Sequence, residues 1–323
     1  MNNTVFPLRS LPEHIQLHII KSFNYDQLAS FSFISNKSKE LVESLNVKIT
    51  EVWVTDEVRH QELRITDKKF GEVPESIHID YEYTWKNTGI SFQTLFERIR
   101  CLFTTHQYVL AVDREEEFFD TVALKNLVPR WSKVILRNVS HDYGQQLINV
   151  FLSNAGAFTI GKPFNEPELP TFPQKIGIQN FDVLTLFDRY QLTLDDALIM
   201  NSRNFQEFKL SIKEANRFIK LWMKGSNRRI KKMKICLNED LNEERMLKGI
   251  KYHVFPGKES VRFRRYVRHD QMEDDHENAA IHFVDVLCYA KIRIRNKKGV
   301  LATLEIDNKN GYSCNVTIEV GEC

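Results

Sequence analysis

FPLRSLPEHIQLHIIKSFNYDQLASFSFISNKSKELV, residues 6–42, is the stretch from which the rest of the chain is read. Leu11, Ile15, Ile19 and Ile20 recur at helical spacing, and Phe23 closes that segment. Pro12 suits a first helical position, where its missing N–H is not needed. Asn24 can cap a second short helix carrying Leu28, Phe31 and Phe33. Ser35 can cap a third, with Leu41, Val42 and Leu45 on its apolar side. Three such helices make a small core. Apolar side chains left over on a unit of this size meet another part of the chain or another protein.

The segment resembles an F-box. Leu11-Pro12 matches the family's opening, and Ile15, Ile19 and Ile20 match its first helix. Asn24 fits the turn, Leu28, Phe31 and Ser32 the second helix, Ile34-Ser35 the corner, and Lys37, Lys39, Leu41 and Val42 the last helix. Tyr25 stands where the family commonly has Pro, and Ser38 where it commonly has Trp. The resemblance implies a module that docks the Skp-family adaptor and, through it, the cullin of an SCF-type ubiquitin ligase. The adaptor-binding positions it implies are Leu11, Pro12, Ile15, Ile19, Leu28, Phe31 and Ile34. The rest of the chain would then select a protein target.

The chain has 323 residues, 42% of them hydrophobic and 27% charged, the composition of a globular protein with a substantial core. A net charge of +2 supplies no global field toward nucleic acid or membrane. No window approaches the unbroken apolar run of a membrane-spanning helix. The opening MNNTVFPLRS lacks a basic region followed by an apolar run, so no secretory signal is expected. Cys101, Cys236, Cys288, Cys314 and Cys323 are odd in number and far apart, which fits reduced, packed thiols in a cytoplasmic or nuclear protein.

Beyond the first helices, residues 48–54 and 76–83 alternate like strands, and residues 92–103 read as a helix with Phe92, Leu95, Phe96, Ile99 and Phe103 on one face. Short apolar strand candidates then begin near Tyr108, Val134, Phe158, Val183, Phe205 and Ile230. Their starts lie roughly 25 residues apart, within the range of leucine-rich-type repeats. Helix-like segments fill most intervals: 116–127, 143–152 and 212–223, the last placing Trp222 in a core position. Residues 162–174 hold four prolines and read as an extended loop. A strand–helix unit so repeated builds a curved parallel sheet, although the strict leucine-rich motif is absent and a doubly wound α/β domain has the same alternation. A helix is expected at 241–250, and residues 261–267, 289–295, 300–306 and 315–320 alternate like antiparallel strands.

Residues 178–231 carry a second resemblance. They contain Ile178-Gln179-Asn180-Phe181-Asp182, then Leu194-Asp195-Asp196-Ala197-Leu198-Ile199-Met200-Asn201-Ser202, and end on Trp222-Met223-Lys224-Gly225-Ser226-Asn227. These blocks resemble the type-2 F-box-associated domain found after F-boxes in substrate receptors. Read physically, the last block is a helix end. Lys224 serves the final carbonyls, Gly225 takes a left-handed conformation, and Ser226-Asn227 turns the chain.

The expected fold is therefore α/β. It comprises an F-box (1–48), a connector with strands and a helix (49–104), a leucine-rich-repeat-like solenoid (105–250, of which about 165–240 resembles the F-box-associated domain) and an antiparallel β cap (251–323).

Motifs for chemistry are lacking: there is no phosphate-cradling glycine loop, no His-Glu-x-x-His and no Cys-x-x-Cys. His269, Asp270, Glu273, Asp274, Asp275 and His276 read as a solvated run rather than a metal site. Asp307–Gly311 reads as a hairpin turn, because Lys309 stands where a calcium loop needs an oxygen. Basic groups at 224–234, 262–268 and 291–298 suit an acidic protein better than nucleic acid, since the chain as a whole is near neutral. The leading expectation is a non-enzymatic ligase receptor without a cofactor. The rivals are a repeat scaffold with no ligase role and a nucleic-acid binder using the strand 262–268.

Overall fold

The computed structural model describes residues 8–57, 61–67, 75–80, 85, 88–113, 120–161, 174–186, 192–238, 242–254, 262–267, 282–309 and 313–321. The chain divides into two compact units, one running to Gly156 and the other from Ala157.

The first unit opens with α1 (Glu13–Ile20), α2 (Tyr25–Ser32) and α3 (Asn36–Ser44). Their starts are fixed by capping. Asn24 accepts the Gln27 N–H at 2.8 Å while the Gln27 side chain accepts the Asn24 N–H at 3.0 Å. Ser35 Oγ accepts the Ser38 N–H at 3.1 Å. Pro12 sits at the N-cap of α1, one residue before the first helical position, where it still forfeits no helical hydrogen bond. The core of the three helices holds Ile20, Leu28, Ala29, Leu41 and Val42.

Of Leu11, Ile15, Ile19 and Ile20, which recur at helical spacing, only Ile20 is buried, and it shares the inner face of α1 with Gln16. Gln16 is buried because its amide donates to the Leu11 carbonyl at 2.6 Å, tying the helix to the segment before it.

Strands β1 (Val47–Lys48), β2 (Glu51–Glu57), β3 (Gln61–Asp67) and β4 (Glu75–Asp80) follow, then α4 (Phe92–Leu102), β5 (Phe103–Thr104) and β6 (Tyr108–Asp113). Next come α5 (Thr121–Leu127), β7 (Trp131–Arg137) and α6 (His141–Phe151). The helix expected over 116–127 is described from Thr121; Phe118 and Phe119 lie outside the described residues. The sheet order is β4-β3-β2-β6-β7, antiparallel among β4, β3 and β2 and parallel from β2 to β7. Strands β2, β3 and β4, from the stretch read as a connector, are thus part of this unit's sheet, and β2 places Val52 and Val54 fully inside. The three N-terminal helices pack on the same unit. Tyr25 meets Phe103 at 5.4 Å, Phe33 meets Trp85 at 5.1 Å, and the Arg98 guanidinium lies 4.7 Å over the Phe33 ring. Cys101, expected to be packed, is exposed on α4.

In the second unit, β8 (Ala155–Ile160) leads to α7 (Gln174–Gly177), β9 (Val183–Leu186), α8 (Leu194–Ile199), β10 (Asn204–Leu210), α9 (Ile212–Met223) and β11 (Lys232–Leu237). The chain continues through α10 (Glu243–Leu247), β12 (His253–Val254), β13 (Arg262–Val267), β14 (His282–Arg295), β15 (Leu301–Lys309) and β16 (Ser313–Val320). Strands β8 to β11 pair in parallel and in chain order. Beyond β11 the sheet turns antiparallel through β16, β15 and β14. Val109 and Ile135 therefore lie on neighbouring parallel strands of the first unit, and Leu184, Phe208 and Met233 on neighbouring parallel strands of the second. The chain is α/β, with N-terminal helices followed by mixed sheet. The helix expected over 241–250 is confined to Glu243–Leu247.

Candidate docking surfaces

The N-terminal helices distribute the seven predicted adaptor positions unevenly. Leu28 is only 3% exposed and belongs to the core, so it cannot touch a partner. Ile15 and Ile34 stand out, 38% and 62% exposed. Pro12 is exposed, and Leu11, Ile19 and Phe31 are half-buried. Ile15 and Ile19 are one helical turn apart on α1 and share its outer face. Phe31 lies edge-on to Phe23, ring centres 5.9 Å apart. Ser38 is 2% exposed, its Oγ 2.9 Å from that of Ser35. It completes the cap of α3 and presents nothing apolar. Burial holds the Asp26 carboxyl, in the first turn of α2, above the ordinary carboxylate value.

In the second unit the quoted blocks converge on the ends of β9, β10 and β11. Helix α9 is set by a capping box, in which Ser211 and Glu214 exchange hydrogen bonds, and it buries Ile212, Ala215, Phe218, Ile219 and Trp222. It stops as its sequence requires. The Gly225 N–H donates to the Trp222 carbonyl at 2.8 Å and the Ser226 N–H to Leu221 at 3.1 Å, the paired bonds of a Schellman end. Gly225 has φ +100°, and a Cβ there would lie 2.9 Å from Lys297 Cε. Gly225→Ala should therefore cost about 1–2 kcal/mol through backbone strain alone. Chemical denaturation checks this, and an unchanged midpoint would refute the strain.

Asn227, also at positive φ, donates to the Ala197 carbonyl at the end of α8. Asn201 Nδ2 donates to Asn180 Oδ1 at 2.6 Å, and Arg229 donates to the same oxygen. This asparagine–arginine knot was not anticipated. Its sequence signal is the recurrence of an asparagine shortly before successive strands: Asn154, Asn180, Asn201 and Asn227. The knot ties strand ends together, so Arg229 is held by structure rather than offered to a ligand. Lys232 likewise pairs with Glu319 at 3.5 Å.

A model of the F-box domain family matches residues 8–50. A model of the F-box associated family matches residues 172–235, which enclose α7 through most of β11 with the knot and the Schellman end. The chain carries an F-box domain and an F-box associated domain. No curated protein and no solved structure matches it significantly.

The acidic run from His269 to His276 and Arg268 lie outside the described residues, and of Arg262, Arg264 and Arg265 only the backbone, in β13, is described. Asp307 lies in β15, whose Lys309 pairs with Ser313 across a hairpin. No described helix is long and apolar enough to cross a membrane.

Proposed function

We propose that this F-box protein is the substrate-recognition subunit of an SCF-type cullin–RING ubiquitin ligase. The F-box would dock a Skp-family adaptor and thereby the cullin, and the following domain would hold a protein target. The chain then supplies proximity, while partner subunits carry out ubiquitin transfer in the cytoplasm or nucleus. It needs no cofactor for this and is not itself an enzyme. Residues 1–48 serve as the docking module, and 105–250 as a leucine-rich-repeat-like presenting domain closed by 251–323. The chain-order parallel pairing of β8 to β11 supports the repeat reading over a doubly wound sheet, which reverses strand order at a switch point.

The observation that carries the proposal is the split within the F-box. Its core is complete with Ile20, Leu28, Leu41 and Val42, yet Ile15 and Ile34 are left in solvent. Interface energy concentrates in a few such apolar anchors. Deleting residues 1–48 would be a poor test, because it also uncovers Phe103 and Trp85. Ile15→Asp with Ile34→Asp is the better one. Adaptor and cullin co-precipitation should fall more than about tenfold, while stability changes by less than about 0.5 kcal/mol. Unchanged recovery would remove the docking face from the proposal. The buried Ser38, where the family commonly carries an aromatic, favours a second reading as a protein-binding scaffold without ligase function. That reading takes the lead if the wild type recovers neither partner.

A further inference from the structure

The second unit contains a cleft of about 790 Å3 formed by the C-terminal end of α9, the approach to β12 and the end of β14. Six cations line it: Lys220, Lys224, Lys251, Arg293, Arg295 and Lys297, with His253 beside them. Among the described residues that line it there is no Asp or Glu. Lys220, Lys224, Lys251, Arg295 and Lys297 have no ion-pair partner among the described residues. Met223, Ile294 and Leu301 are its apolar lining residues.

A helix C-terminus attracts cations, but that does not account for this set. The macrodipole supplies about half a charge, against six side-chain charges here. The last carbonyls of α9 are also already satisfied by backbone. Gly225, Ser226 and Lys297 N–H groups donate to Trp222, Leu221 and Met223 at 2.8, 3.1 and 2.8 Å. The lysine ammonium groups are therefore spare. Two glycines let their stems lie close to the chain: a Cβ on Gly225 would meet Lys297 Cε at 2.9 Å, and one on Gly249 would meet Lys220 Nζ at 3.3 Å. The turn bearing Lys297 is fixed, with Asn296 Oδ1 accepting the Lys298 and Val300 N–H groups at 2.9 and 3.0 Å. Like charges held together repel unless an anion joins them.

We infer that this cleft is where the receptor takes an acidic segment of its protein target, with clustered phosphate or carboxylate oxygens on the cations and aliphatic stems over Met223 and Leu301. The inference rests on the receptor reading above. The volume is that of a ligand site rather than a long track. Arg295 can meet a phosphate or carboxylate with two parallel N–H bonds. A single nucleic-acid strand fits less well, because no Phe, Tyr or Trp is among the described residues that line the cleft to stack a base.

The test is fluorescence anisotropy on the full chain, with adaptor capture measured on the same preparations. The probes are a short peptide bearing two phosphoserines among aspartates, its counterpart with two glutamates, its counterpart with two serines, and a single-stranded RNA of similar length. The two charged peptides should bind at least about tenfold tighter than the serine form. Lys251→Glu with Arg295→Glu should abolish that difference, while Lys213→Glu, outside the cleft, should leave it. Which charged peptide binds more tightly distinguishes phosphate from carboxylate as the source. Equal binding of all peptides overturns the inference, as does a difference that survives the charge reversal. RNA bound more tightly than any peptide, and lost on the same reversal, also overturns it. Peptide results as expected without adaptor capture would uphold the cleft and sink the receptor reading instead.

Discussion

Truncating Trp131 to alanine is expected to destabilise the first unit by about 3–5 kcal/mol, the range for removing a buried aromatic side chain. Trp131 is wholly buried at the start of β7. Its indole stacks on Phe96 of α4, centres 6.1 Å apart with planes at 12°, and stands edge-on to Phe151 of α6 at 6.1 Å. Phe96 in turn meets Tyr108 of β6 edge-on at 6.0 Å. Trp131 thus joins two helices to its own strand and, through Phe96, to the neighbouring one, and the hole left by its loss cannot close without moving one of them. Trp131→Phe should cost far less. It keeps most of the contact area and removes an indole N–H that meets no acceptor among the described residues. Thermal denaturation should show a fall in Tm on the order of 10 °C for the alanine variant and a small fraction of that for phenylalanine. If the two variants fall equally, the ring stack is not what holds the layers.

Local order was legible from the sequence wherever chemistry and periodicity agreed. The expected bounds of α9, 212–223, are the observed ones, because a capping serine, a glutamate three residues on, a clean apolar stripe and a terminal glycine all state the same helix. Asn24 and Ser35 cap the helices expected of them. Strand β3 went unseen, since Gln61–Asp67 offers only Leu63 and Ile65 between polar and charged neighbours. The sheet role of β2 was also hidden. It pairs with β6, whose position beyond an intervening hairpin and helix nothing local encodes. The docking face was legible in part. Periodicity located the apolar residues of α1 but could not say which of them point inward, because Gln16 shares the inner face with Ile20 while its amide donates to the Leu11 carbonyl, and hydrophobicity does not register hydrogen bonds. The basic cleft draws on α9, the approach to β12 and β14, so only the fold brings its charges together.

Adjacent substitutions at Ile19 and Ile20 should part company because the two side chains lie on different faces of α1. Ile20 is fully buried, whereas Ile19 is half-exposed beside Ile15 on the outer face. Ile20→Asp removes an aliphatic core side chain, at about 2–5 kcal/mol, and leaves a carboxylate with no room to reach water, at several kcal/mol more unless it protonates. The three-helix core is small, and a loss on that scale exceeds what such a unit can supply alone. Helices α1 to α3 should lose hydrogen-exchange protection, and adaptor capture should vanish with them. Ile19→Asp places its charge within reach of solvent and should change stability by less than about 1 kcal/mol. It should nevertheless weaken adaptor capture, since a charge on the apolar face must be desolvated on docking. Exchange protection separates the two cases: intact helices with lost binding for Ile19→Asp, lost helices for Ile20→Asp. Were Ile19→Asp to melt the helices while Ile20→Asp left them intact, α1 would be turned by one residue, and Ile15 would belong to the core rather than to the partner.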